Sequence, residues 1–407
     1  MKSVRNWGRL GMNFDENSLY NIKSSVEGKR YSLFELATWK NGLAFKKINF
    51  SETGVPVIKI AELNNGIGGT TAYTQQTFSE DVHLCKGDLL FSWSGNPQTS
   101  IDIFRFNLDE GWLNQHIFRV TPDEKTIDKD YFYFLMKNLK PYFTQIATNK
   151  QTTGLGHVTI ADIKRMSVVV PSLDVQREIV SYLKPIDDKV ELNTAINNNL
   201  ADLLQTVYQE QFGDIESAEN QGILSDICTY SKEKVVISAL NTSNYFSTEN
   251  MLVDKGGATI ASSLPTVSQT TACHKGDTLI SNIRPYFKKI VYCEDDCGCS
   301  TDVLCFTPNR HQYSAYLFSV LYADSFFAFM VAGAKGTKMP RGDKQQIMTY
   351  PVTLPSNEEL EEFNAIALPA LEQIHSNRVE NKSLSAMRDT LLPKLMSGEL
   401  DVSDIDL

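Results

Sequence analysis

The 407-residue sequence predicts a mixed α/β (α+β) fold built twice. Two globular units are separated by two long helices, which pack on each other as an antiparallel coiled coil, with a pseudo-two-fold relation from internal duplication. Three observations predict this: an internal repeat at a constant interval, the same turn–strand–helix order in each copy, and two long segments with apolar residues at helical spacing. A composition of 42% apolar and 10% aromatic residues supplies material for packed cores and excludes a chain disordered throughout. No apolar run approaches the roughly 20 residues a membrane span needs, and MKSVRNWGRL at the N-terminus lacks the apolar core of a signal peptide. No membrane association and a cytoplasmic location are therefore expected.

The elements repeat in order. Lys86-Gly87-Asp88 opens LLFSW, and Lys275-Gly276-Asp277 opens TLISN, each a turn leading into a strand. Both copies then reach Thr-Pro, at Thr121-Pro122 and Thr307-Pro308. An aromatic segment with helical spacing follows, where Phe132, Leu135 and Phe143 match Phe318, Leu321 and Phe329. Polar glycine-bearing loops come next, at 149–157 and 334–343. Short β-branched strands then end in Pro-Ser, VVVPS at Val168–Ser172 and VTLPS at Val352–Ser356, 184 residues apart.

The segments after Pro-Ser carry the helices. The first reads Ile186, Val190, Asn193, Asn197, Leu200, Leu204, Val207, Gln211. The second, 184 residues on, reads Ala370, Ile374, Asn377, Asn381, Leu384, Arg388, Leu391, Leu395. Both suit a coiled-coil seam with two asparagines at the same positions. A seam asparagine lowers stability but fixes register, because its amide needs a matching amide across the interface. Asn193, Asn197, Asn377 and Asn381 are therefore the predicted register residues. The boundaries that result are 1–170, a globular unit; 171–219, a helical spacer; 220–355, a second unit; and 356–407, a second spacer.

The formal net charge of −10 argues against a nucleic-acid partner only until it is divided along these boundaries. Residues 1–170 carry 20 basic and 17 acidic groups, and residues 220–355 carry 12 and 11. Both spacers carry a net −7, from 3 basic and 10 acidic groups in one and 4 and 11 in the other. The acidic helices suit protein docking, and the near-neutral units remain eligible for DNA.

Seven cysteines without a secretory signal point to free thiols in a reducing compartment. Cys293, Cys297, Cys299 and Cys305 have the wrong rhythm for the paired ligands of a zinc site, so small buried residues are expected and no metal. Catalytic motifs are missing as well. There is no GxxxxGK[ST] phosphate cradle and no glycine-rich opening to hold a methyl donor. Asn96-Pro97 continues as Gln-Thr without the aromatic residue of adenine methyltransferases, and Asp123-Glu124-Lys125 lacks the separated carboxylate of a metal nuclease. The expectation is a chain with no catalytic residues and no cofactor of its own.

Four stretches resemble the specificity subunits of type I restriction–modification enzymes: GLAFKKINFSETGVPVIKIAEL at Gly42–Leu63; GDLLFSWSG with EGWLNQHIFRVTP, ending at Pro122; YFSTENMLVDKGG at Tyr245–Gly257; and MRDTLLPKLMSGEL at Met387–Leu400. The resemblance covers roughly residues 30–405. It implies two target-recognition domains, each reading half of a bipartite site in double-stranded DNA, held apart by the family's conserved helices. Two methyltransferase (modification) subunits, which use S-adenosylmethionine, would dock on those helices, and restriction subunits would join through them. A helix of about 27 residues spans ~40 Å, about one turn of B-DNA, so the helices would set the gap between half-sites. Inserting four residues near Asn199 should change that gap and leave the half-sites alone. A coiled-coil scaffold whose globular units bind protein is the alternative; a low-salt DNA pull-down with both methyltransferase partners separates the two.

Within each recognition domain, polar and basic loop residues with aromatics beside them are the candidate DNA readers, since phosphate contacts orient and base-edge contacts specify. In the first they are Trp93, Ser94, Asn96, Asn114, Gln115, His116, Lys150, Gln151, Thr152 and His157. In the second they are Asn282, Arg284, Tyr286, Lys288, Lys289, Lys335, Thr337, Lys338 and Arg341. Core packing is the better reading of Trp93, which follows a buried-looking strand. His116 lies in an apolar run and equally suits a core histidine. Gly87 and Gly276 are turn formers. With so few net positive charges, the chain alone is expected to bind DNA weakly.

Overall fold

A computed structural model describes residues 20–400 of the chain apart from 23, 69, 70, 152, 153 and 217. Thr152 thus lies outside the described residues. Two compact units divide the chain, one of Met1–Val190 with Lys382–Leu407 and one of Glu191–Asn381. Each contains one globular α/β fold and a portion of both long helices.

The Lys-Gly-Asp turns form as their sequences predict. Gly87 and Gly276 take φ of 91° and 92°, a region that glycine enters without a Cβ penalty. In the first unit Asp88 Oδ2 accepts from the Cys85 amide at 2.9 Å, and in the second Asp277 Oδ2 accepts from the His274 amide at 2.8 Å. The strands that follow, Leu89–Ser92 and Thr278–Ser281, are buried at every residue. Each is an inner strand of a four-stranded antiparallel sheet. In the first unit the order is Ala37–Asn41, Ile117–Pro122, Leu89–Ser92, Asp102–Arg105. In the second it is Cys228–Tyr230, Val303–Pro308, Thr278–Ser281, Ile290–Tyr292. Both Thr-Pro pairs end the strand beside the buried one, so the duplicated sequence folds into a duplicated sheet.

The aromatic segments cover these sheets, but each is a pair of helices. Lys129–Asn138 and Lys140–Asn149 are separated at Leu139, because Pro141 cannot continue the preceding helix and is well placed in the first turn of the next. Phe132, Phe134 and Phe143 pack with Phe91 in the first core. Ser314–Tyr322 and Asp324–Ala332 are split by Ala323, whose backbone is extended. They bury Phe318, Phe326 and Phe327 with Phe306. No single helix among the described residues is long and apolar enough to cross a membrane.

A second four-stranded sheet in each unit contains one parallel pairing, Val57–Ile58 with Trp112–Leu113 and Tyr245–Phe246 with Gly298–Cys299. Cys297 and Cys299 lie on this sheet with Cys273, which stands opposite Cys297 in register, while Cys305 on Val303–Pro308 and Cys293 just after Ile290–Tyr292 come from the first sheet into the same buried cluster. Cys293 and Cys297 bring their sulfurs to 3.6 Å, and the Cys305 thiol donates to Asp277 at 3.2 Å. All are buried and free. Among the described residues, no three histidine, cysteine or acidic side chains are grouped to hold a metal ion.

The long helices span Leu173–Phe212 and Asn357–Ser397, 40 and 41 residues. Each starts just after its Pro-Ser pair, so each is longer than the roughly 27 residues expected from a seam beginning at Ile186. The early turns are helical because they belong to a core. Ile179 and Leu183 are buried in the first unit, and Leu360 and Phe363 in the second. Gln176, fully buried, accepts from the Asp128 amide at 2.7 Å and donates to the Pro171 carbonyl at 2.8 Å.

In the second unit the helices run antiparallel through the asparagine positions. Asn193 Nδ2 donates to Asn381 Oδ1 at 2.9 Å, and Asn377 Nδ2 donates to Asn197 Oδ1 at 2.8 Å. Each helix's first asparagine donates to the other helix's second, which the 184-residue duplication makes equivalent. Asn193 and Asn377 are both buried, so each pair joins a desolvated amide to its partner.

Candidate nucleic-acid interface

In the first unit, backbone hydrogen bonds pin three loops together. Ser94–Gly95 pairs with Gly156–His157, and the Val158 amide donates to the Trp93 carbonyl at 2.8 Å. The Trp93 amide donates to the His116 carbonyl at 3.1 Å, and the Gln115 amide to the Leu43 carbonyl at 2.7 Å. The segments at 93–96, 114–116 and 156–157, far apart in sequence, therefore form one surface.

Trp93 is its floor. The ring is half-buried, stacks on Phe118 at 5.7 Å and donates from Nε1 to Asn41 Oδ1 at 3.0 Å. Packing thus accounts for most of what it touches, and it also meets the His116 ring, tilted, at 5.2 Å. His116 is exposed and has φ of 76°, so it is no core histidine. Gln115 and Gln151 are exposed, while Ser94, Asn114 and His157 are half-buried. Asn96 is exposed but already accepts from the Gln98 amide at 2.9 Å, an Asx turn.

The second unit repeats the arrangement with different chemistry. Ile283 pairs with Arg341, and Arg341 with Lys335. The Arg284 amide donates to the Pro340 carbonyl and the Asn282 amide to the Asp302 carbonyl, both at 2.8 Å. Arg284 and Lys288 flank the tight turn Pro285–Phe287 with φ of 51° and 49°, left-handed positions that non-glycine residues hold at a cost. Tyr286, Thr337 and Lys338 are exposed, whereas Asn282 is buried and its Oδ1 lacks a partner.

A lysine–aspartate clamp closes the glycine-bearing loop in both units. Lys150 Nζ bonds both oxygens of Asp162, and Lys335 Nζ bonds Asp343. Asp162 sits inside the short helix Ile160–Arg165, while Asp343 caps the helix Lys344–Ile347. Burial pushes the Asp162 carboxyl up, but bonds from Lys150 and Thr159 outweigh it and leave it below its ordinary range. The Lys335 bond, helped by the Gln345 and Gln346 amides, likewise holds Asp343 low. Other candidates are also engaged within the protein. Lys288 pairs with Asp324 at 2.9 Å and Arg341 with Asp302 at 2.9 Å. Lys289 donates to the Thr248 carbonyl at 2.7 Å, and burial lowers its pKa.

Sequence reasoning passed over the partners that hold these side chains in place: Asn41 under Trp93, Asp302 on Arg341, and Asp162 and Asp343 on the loop lysines. It also passed over Lys46–Asn49, a tight turn on the segment that Gln115 joins through Leu43, where Ile48 is 82% exposed. The adjacent lysines of FKKINF were the available signal.

Fold and loops together define a duplicated protein with one equivalent loop surface on each unit. Residues 26–202 match the family model described as the type I restriction modification DNA specificity domain. The chain is similar to the type I restriction enzyme HindI specificity subunit of Haemophilus influenzae, with 27% identity over 134 residues, 32% of this chain and 29% of that protein. It is also similar to the MjaIX specificity subunit of Methanocaldococcus jannaschii, with 33% identity over 76 residues, 19% of this chain and 18% of that one. The matched stretches thus span less than a third of either relative. The crystal structure of a type I restriction-modification system S subunit from M. genitalium covers 91% of this chain and 96% of its own, with a TM-score of 0.52 and 15% identity, and shares the fold. The resemblance to type I specificity subunits read from the sequence is borne out over residues 26–202, which match that domain model.

Proposed function

We propose that this chain is the DNA sequence-specificity subunit of a type I restriction–modification complex. Each recognition unit reads one half of a bipartite double-stranded site. The acidic long helices dock two methyltransferase subunits, and restriction subunits join through them. The chain contributes no catalytic residue; S-adenosylmethionine is bound by the methyltransferase partner, and the complex works in the cytoplasm. The observation that carries this reading is the repetition of one loop surface on both units with different side chains at matching places. A duplicated scaffold would give the repeat, but two surfaces that differ mainly in their polar side chains suit two different half-sites.

The test maps methylated adenines in cells carrying this gene with its partner genes. A bipartite motif is expected, and exchanging residues 30–165 for those of a relative should change one half and leave the other. Absence of a bipartite motif, or a change in both halves, overturns the proposal.

A further inference from the structure

We infer that Arg284 reads a guanine in the half-site of the second unit, with Lys338 on a neighbouring phosphate. This rests on the reading of the chain as a DNA-specificity subunit. Six cations stand on the second unit's two loops, and four are already held. Lys288, Lys335 and Arg341 are paired with carboxylates, and Lys289 with a backbone carbonyl. Freeing any of those four to reach DNA would cost it an existing contact, although Asp324 would keep Lys255 and Asp343 the Gln345 and Gln346 amides. Arg284 and Lys338 make no ion pair among the described residues.

Arg284 differs from Lys338 in being fixed. Its amide is held by Pro340, its carbonyl accepts from the Phe287 amide at 2.9 Å, and its φ is left-handed. Its Nε is buried and unpaired, and its two terminal nitrogens make no hydrogen bond or ion pair among the described residues, so the half-buried guanidinium keeps its two-nitrogen edge for a ligand. A planar two-nitrogen edge on an ordered stem matches the O6 and N7 acceptors of guanine in the major groove. A lysine on an exposed loop is a point charge on a flexible stem and suits a phosphate. The first unit has no equivalent arginine, since Gly95 stands at the matching place after its buried strand.

The test compares methylated sites of the wild type with those of Arg284→Ala, Arg284→Lys and Lys338→Ala in the assembled complex. The wild-type half-site assigned to the second unit should contain a G·C pair. In Arg284→Ala, discrimination at that one position should fall by roughly 5- to 150-fold, with the other half and the gap unchanged. Arg284→Lys keeps the charge but loses the planar edge, so it should show the same relaxation with more methylation retained. Lys338→Ala should lower methylation at all sites alike. If Arg284→Ala gives no methylation, Arg284→Lys decides, and silence of both assigns Arg284 to the fold and overturns the inference. An unchanged motif in Arg284→Ala, or a second half without a G·C pair, overturns it while the functional reading stands. No bipartite motif in the wild type overturns both.

Discussion

The two units solve one seam position in opposite ways. In the first, Asp187 pairs with Arg388 at 2.8 Å. By the 184-residue duplication, the equivalents in the second are Leu371 and Leu204, both buried in its core. The ion pair does not stand alone. Arg105 lies 3.9 Å over the Tyr133 ring, bonds Asp130 at 2.9 Å and approaches Asp187 at 3.9 Å. Burial works against the Arg388 charge, but the Asp187 and Asp389 bonds prevail and raise its pKa. The leucine pair shows that the fold itself does not need these charges. A buried ion pair adds little net stability over apolar residues of similar volume, yet removing one partner is costly.

The comparison predicts an asymmetric double-mutant cycle. Asp187→Leu alone takes one carboxylate from Arg388 and Arg105, which keep Asp389 and Asp130 as partners and 26% and 14% of their side-chain exposure, and should cost roughly 1–3 kcal/mol, less than stranding a fully dry charge. Adding Arg388→Leu should recover most of that loss by copying the second unit. Urea unfolding of the full chain measures both. A double variant as unstable as the single would show that the first unit depends on the charges themselves.

The asparagine pairs are the feature that both halves share, and they sharpen the contrast. Asn193→Leu leaves the Asn381 amide facing an apolar group and should cost about 1–3 kcal/mol. Replacing Asn193, Asn197, Asn377 and Asn381 together by leucine should raise the melting temperature while loosening register. Mapped methylation sites of the fourfold variant would then show mixed gaps. A single sharp gap would mean that the recognition units, and not the amides, fix the register.

These seam asparagines were legible in the sequence because a 3–4 spacing repeated at a constant interval names both the face and the partner. The strands after Lys-Gly-Asp were legible for a similar reason, since turn chemistry acts within a few residues. The break at Ala323 was not, although Asp324-Ser325 interrupts the apolar run there and places an acidic residue in the first turn of the next helix. The early turns of the long helices were not part of the expected seam because the 3–4 spacing was read only from Ile186 and Ala370, whereas burial of Ile179, Leu183, Leu360 and Phe363 holds the helix from just after each Pro-Ser pair. The loop candidates were legible as surface. Which of them are free was not, because Lys150, Lys288, Lys335 and Arg341 are claimed by carboxylates up to 39 residues away in sequence.

The clamps offer a smaller contrast. Asp162 is fully buried, while Asp343 keeps 23% of its side-chain exposure. Asp162→Asn should cost about 1–2 kcal/mol at pH 7, and Asp343→Asn less. Both folded carboxyls titrate below their ordinary value of 3.8, so the ionised forms stabilise the fold. That contribution is complete above this pH and is lost as the pH falls below it. The gap between wild type and Asp162→Asn in thermal melts should therefore narrow below about pH 4. A gap that widened on acidification would reverse the sign.

The least disruptive substitutions test whether a lysine's existing partner decides its use. Lys338 has no ion-pair partner among the described residues, while Lys335 is held by Asp343 on the same loop. If phosphate contact follows from freedom, Lys338→Ala should lower the slope of log affinity against log salt by about 0.9 for the assembled complex on its mapped site. Lys335→Ala should leave the slope nearly unchanged and shift affinity only through loosening of the loop. Equal slope changes would mean that DNA displaces Asp343 from Lys335. The carboxylate clamps would then be resting contacts exchanged for phosphate on binding, and the first unit's Lys150, on a more buried aspartate, would become the more restrained of the two.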